Sequence, residues 1–181
     1  MNAPAQPKVI NNTITISSSR SRTVTEVESL NKYEELLQAA ADAGVTVYTA
    51  SLSGHAGLYS DGVILLSDTL RTTAEKACVL AEELSHHFTA CGNITGSAVP
   101  AIKQEIQGRR AAHEILVPIH SLVEAMTTGC CRSRYEVAEY LEVTEEFLNE
   151  ALEQYRLKYG HYLSFGDFFL FFEPFGVLQR V

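Results

Sequence analysis

The sequence predicts an α+β fold: a small, mostly antiparallel sheet packed on one chemistry-bearing helix, with additional helices toward the C-terminus. Three observations predict it. Two apolar runs, Gly57-Leu-Tyr-Ser60 and Val63-Ile-Leu-Leu66, flank Asp61-Gly62, a strong short-range hairpin signal. A long run from Thr72 then repeats its apolar residues at helical spacing. After it come further helical periods with no strand signal between them.

The 181 residues allow one domain with short appendages. We divide them into a polar arm over 1–26, a main domain over 27–160 and an aromatic tail over 161–181. A 46% hydrophobic and 20% charged composition excludes a wholly disordered chain. The net charge of −8 opposes phosphate neutralisation, so no direct nucleic-acid binding is expected. No apolar window is long enough to span a bilayer, and the start carries no charged and then apolar leader pattern. The expectation is a cytoplasmic protein with no membrane contact. Cys78, Cys91, Cys130 and Cys131 show no C-x-x-C spacing, so they read as reduced, mostly buried thiols.

Element by element, Asn12–Ser17 alternates like a short strand, and Ser17–Arg22 reads as a loop. Leu30, Tyr33, Leu36, Leu37 and Ala40 give a helix over 27–43, which Gly44 stops. Val45–Thr49 is β-branched and aromatic, hence a strand. Thr72-Thr-Ala-Glu75 forms a capping box that opens the long helix, whose apolar face is Ala77, Leu80, Ala81, Leu84 and Phe88. A loop over 93–99 leads to Pro100 and a helix over 101–117, which ends before Pro118. Shorter helices fit 119–128, 134–141 and 145–159, and Gly160 closes the helical half. The tail from Phe165 reads as an extended aromatic segment packed on the body.

Within the long helix stands Glu82-Glu83-Leu84-Ser85-His86-His87. At about 100° per residue, Glu82 and His86 fall one turn apart on a flank away from the core. Two ligands at i and i+4 with a glutamate between them is the arrangement of H-E-x-x-H, where the pair holds metal and the glutamate moves protons. Here Glu82 occupies the first position. Shifting the register to Glu83 and His87 would put Leu84 in the base position, where it cannot move a proton. Taken alone, E-E-x-x-H is met more often as a surface Glu–His ion pair. A catalytic zinc needs a third protein ligand, and the next helix offers Glu105, His113 and Glu114 without choosing among them.

The hairpin together with Lys76-Ala-Cys-Val-Leu-Ala-Glu-Glu-Leu-Ser-His-His-Phe88 resembles the ImmA/IrrE metallo-endopeptidases, closest to the phage and mobile-element branch that carries E-E-L-x-H. That family follows its motif with E-x-x-A-N-x-F-A-x-x-L-L-x-P. Counted back from Pro118, Glu105, Ala112 and Leu116 fall on the pattern, while Gly108, Arg109 and Ala111 depart from it. The resemblance covers about 30–160 and implies a zincin-like fold.

It implies that Glu82, His86 and Glu105 bind one divalent metal. Zinc comes first, with manganese or iron favoured further by the second carboxylate. It implies that Glu83 takes a proton from the attacking water and passes it to the leaving amine. The substrate implied is a helix-turn-helix repressor, whose cleavage relieves repression of a prophage, mobile element or stress regulon. An antirepressor that acts by contact alone is the alternative. The outer hairpin strand, Val63, Ile64, Leu65 and Leu66, would hold the substrate by strand addition.

Other residues carry two readings each. His87 could donate to a metal ligand, be an alternative ligand or be a histidine against the core. His55 and Tyr59 could face the cleft, His55 as an oxyanion donor, or be ordinary surface groups. Arg109 could orient a carboxylate or sit on the helix surface. Tyr135–Leu148 looks like a helix-turn-helix, yet Tyr135 to Tyr155 holds seven glutamates and no lysine or arginine, so it reads as packing or as a face for a basic partner. Sequence leaves the oligomeric state open.

Overall fold

The computed structural model describes residues 8–9, 30–92, 101–129 and 131–180; of 8–9, 89–92 and 101–105 it describes the backbone alone. The strand expected at 12–17, the loop at 17–22 and the loop at 93–99 lie outside the described residues. The fold is α+β. Its order is β1 (Lys8–Val9), α1 (Lys32–Asp42), β2 (Thr46–Ala50), β3 (Gly57–Ser60), β4 (Val63–Ser67), α2 (Thr73–Gly92), α3 (Ala101–Leu116), α4 (Ile119–Thr127), α5 (Arg134–Tyr140), α6 (Glu145–Tyr159), β5 (Tyr162–Phe165), β6 (Phe168–Phe172) and β7 (Phe175–Gln179).

The first sheet has the order β1-β2-β4-β3. Its outer pairs are antiparallel, but β2 and β4 run parallel, Val47 opposite Ile64 and Thr49 opposite Leu66. The chain passes from β2 to the far edge, lays down β3, and returns through the Asp61-Gly62 turn to insert β4 in the middle. Both turn residues have positive φ, 48° and 79°, as a tight two-residue hairpin requires. The expectation that Val63–Leu66 forms the outer strand is therefore corrected: β4 is hydrogen-bonded on both sides, and β3 is the edge.

Helices α1 and α2 pack on this sheet. Leu36 and Ala40 of α1, Val47, Ile64 and Leu66 of the strands, and Ala77, Leu80, Ala81 and Leu84 of α2 form the shared core. Helix α1 starts later than periodicity suggests. Asn31 caps it in a full capping box with Glu34, which leaves Leu30 exposed ahead of the helix. The box expected at Thr72 is present: Glu75 N–H donates to Thr72 Oγ1 (3.1 Å), and Thr72 N–H donates to Glu75 Oε2 (2.9 Å). Phe88 departs from the core face on which its spacing places it. It is half exposed, its ring set edge-on against His87.

Helix α3 packs along α2, and α6 along α3. Tyr155 Oη of α6 donates to the Val117 carbonyl at 2.7 Å and ties α6 to the end of α3. Behind them the aromatic tail forms a three-stranded antiparallel meander, β5-β6-β7, rather than a single extended segment. It seats Leu170 and Phe172 in the core. No helix among the described residues is long and apolar enough to cross a membrane.

Candidate active site

Helix α2 buries one stripe and leaves two flanks for chemistry. With Ala77, Leu80, Ala81 and Leu84 in the core, positions 78, 82 and 86 line one flank and 79, 83 and 87 the other, each row at i, i+4 spacing. Ser85 is buried as well, its hydroxyl satisfied by donating to the Ala81 carbonyl at 2.8 Å.

The second flank faces β3 at close quarters. A Cβ built on Gly57 would stand 2.6 Å from Val79 Cγ1, 2.7 Å from Glu83 Oε1 and 2.9 Å from Glu83 Cγ. Only glycine lets the strand run this near, and the Glu83 carboxylate lies against its backbone. Two residues along, Tyr59 Oη meets His87 Nδ1 at 2.8 Å and accepts the Gly62 N–H at 3.3 Å. His87 is thus turned to the strand, on the flank opposite Glu82 and His86.

The first flank faces α3 and α6. Glu82 lines a cleft of about 220 Å³ with Cys78, Thr144, Phe147 and Glu150. Thr144 N–H donates to Cys78 Sγ at 3.5 Å. Burial, with the Glu82 charge adding to it, pushes the Cys78 thiol up to about 11. One turn on, the His86 ring packs on α3 at Gly108, where an added Cβ would stand 3.2 Å from both Nδ1 and Cε1. Position 105 lies one turn before Gly108 on the same helix; its side chain is outside the described residues.

The structure therefore places Glu82 and His86 on one flank and Glu83 on the other, beside the edge of β3 that no described strand pairs. Among the described residues no group of three or more His, Cys, Asp or Glu is placed to hold a metal. The fit to a metal rests on two donors, Glu82 and His86, at ligand spacing, and on the cradle that Gly108 leaves for the His86 imidazole. His55 is exposed in the loop before β3, and Arg109 is exposed on α3. His113 is buried on α3, paired with Gln154 and facing α6 rather than α2. The sequence reading passed over Gly57 and noticed Gly108 only as a departure from a pattern. A glycine inside a helix costs about 1 kcal/mol against alanine, and that was the signal to ask what its missing side chain makes room for.

A helix with a buried back on a small mixed sheet, carrying a Glu–His pair at i, i+4 on one flank and a glutamate on the other, is an α+β arrangement consistent with a zincin-like fold. The chain belongs to the Peptidase_M78 family, whose model, described as the IrrE N-terminal-like domain, matches residues 40–153. No curated protein and no solved structure matches it. The matched span runs from the end of α1 into α6, and the β5–β7 meander lies beyond it.

Proposed function

We propose that this member of the family is a metal-dependent endopeptidase that cuts a helix-turn-helix repressor. The observation that carries the reading is the division of α2, which gives the ligand pair and the base separate surroundings. Glu82, His86 and Glu105 would hold the metal, zinc first, with manganese or iron also suited to a site with two carboxylates. A metal bound there supplies Lewis acidity to the scissile carbonyl. The substrate lies extended along β3, adding a strand to the edge that no described strand pairs. Glu83, pressed against the start of that strand, takes the proton of the attacking water and delivers it to the leaving amine. The glutamates of α5 and α6 offer a negatively charged surface to a basic partner.

The test is Glu83→Gln, assayed for repressor cleavage, for derepression in cells and for bound metal by elemental analysis. We expect cleavage and derepression to be lost with metal retained. Derepression that survives the change would replace the peptidase with an antirepressor acting by contact.

A further inference from the structure

Away from the face of α2 that meets β3, a groove of about 730 Å³ runs between α3 and α6. That volume is in the range of small-ligand sites, about 300–1,000 Å³. Its floor is His113 and Gln154, and Ile106 and Leu157, 46% and 73% exposed, lie along its walls. His113 itself is 2% exposed. Its Nδ1 stands 2.7 Å from Gln154 Oε1, an atom that can only accept, so Nδ1 carries the proton. Nε2 then presents a lone pair, and burial holds the imidazole neutral by lowering its pKa. Neither His113 Nε2 nor Gln154 Nε2 has a hydrogen-bond partner among the described residues. Glu150 Oε2 is 3.8 Å from His113 Nε2, too far for a hydrogen bond, and its side chain, 44% exposed, forms the lip above the ring.

Two unmet buried groups side by side are costly, and together they describe what would meet them. The His113 lone pair and the Glu150 carboxylate are both acceptors, spaced so that one nitrogen with two N–H bonds can reach both. The carboxylate selects a positive charge on that nitrogen. The Gln154 amide hydrogens call for an acceptor beside the head, which a peptide carbonyl supplies directly and a plain alkylammonium brings only as an accompanying water, and Ile106 and Leu157 call for an aliphatic stem. Arg109, Arg110 and Lys158, also on the walls, disfavour a second positive charge, and Lys158 is itself paired with Glu114 at 2.8 Å. We propose that the α3–α6 groove is a second binding site, which takes one primary ammonium or guanidinium group on an aliphatic stem. The head seats when the Glu150 carboxylate swings onto it. The stem covers Ile106 and Leu157. The source is either a free alkylamine or a lysine or arginine side chain of a peptide.

The test is a titration of the full chain, with ¹⁵N-labelled histidine, by n-butylammonium, by the blocked peptide acetyl-Ala-Lys-Ala-amide and by neutral 1-butanol. We expect a saturable shift of the His113 Nε2 resonance with at least one of the two cations and none with 1-butanol. Saturation by n-butylammonium alone assigns a free amine, and tighter binding of the peptide assigns a side chain. Glu150→Gln, at an exposed position that leaves the core intact, should weaken binding roughly tenfold or more, the worth of a charged hydrogen bond. Leu157→Ala should weaken it less. No saturable shift with either cation, an equal response to 1-butanol, or unchanged binding by Glu150→Gln would each overturn the proposal.

Discussion

The two flanks of α2 are built to different tolerances. Toward β3 the helix meets backbone directly: Gly57 leaves no room for a Cβ, and Tyr59 bonds His87 at 2.8 Å. Toward α3 and α6 it meets a cleft of about 220 Å³, and the near approach of Gly108 to His86 is looser, at 3.2 Å. Glu83, the proposed base, is held against backbone, while Glu82, of the proposed ligand pair, lines a cleft. A proton-transfer group works over a short fixed reach, whereas a metal set must admit an ion and settle around it.

The largest expected effect separates the flanks by chemistry. Glu83→Gln should cut cleavage by roughly 10²–10⁴-fold, the range of general acid–base catalysis, with metal content unchanged. Glu82→Gln should lose metal together with activity. Equal metal content in both variants would break the comparison. Next is Gly57→Ala, where overpacking against Val79 and Glu83 should cost roughly 1–3 kcal/mol in a denaturant melt. Gly108→Ala sharpens the contrast. Helix propensity alone would add about 1 kcal/mol, and the contact with His86 opposes it. The melt should hardly move, while metal affinity, followed by competition with a chelator, falls roughly tenfold.

Tyr59→Phe removes the hydroxyl shared by His87 and Gly62, worth about 1 kcal/mol in the same melt. Last is Cys78→Ala, read as pH dependence. In the folded chain the thiol keeps its proton up to about 11, against an ordinary 9.0. Its contribution is full below pH 9 and is lost as pH climbs toward 11. The stability of Cys78→Ala should therefore fall less steeply than that of the unchanged chain across that window.

Much of this was legible in the sequence. Helix positions followed from apolar periodicity and the capping box at Thr72, and the Asp61-Gly62 turn from its residue types. The wheel already separated Glu82 and His86 from the core. What each flank faces was not legible, because it depends on α3, α6 and β3, far apart in sequence. The position of β4 was missed for a related reason: a hairpin signal fixes that two strands pair, not which of them a third strand will join. The tail carried its own clues. Gly166-Asp167 and Glu173-Pro174 break the aromatic run where the β5–β6 and β6–β7 turns fall. Phe88 and Leu30 show the limit of periodicity at helix ends, where the neighbouring elements run out.

The edge strand β3 is only four residues long. In an antiparallel ladder about half of an edge strand's residues turn both N–H and C=O outward, so little backbone is on offer there. Such a strand is a poor seed for sheet-to-sheet aggregation. Brevity also makes anything that docks on it depend on side-chain contacts for residence time, so a peptide aligned there would be released quickly.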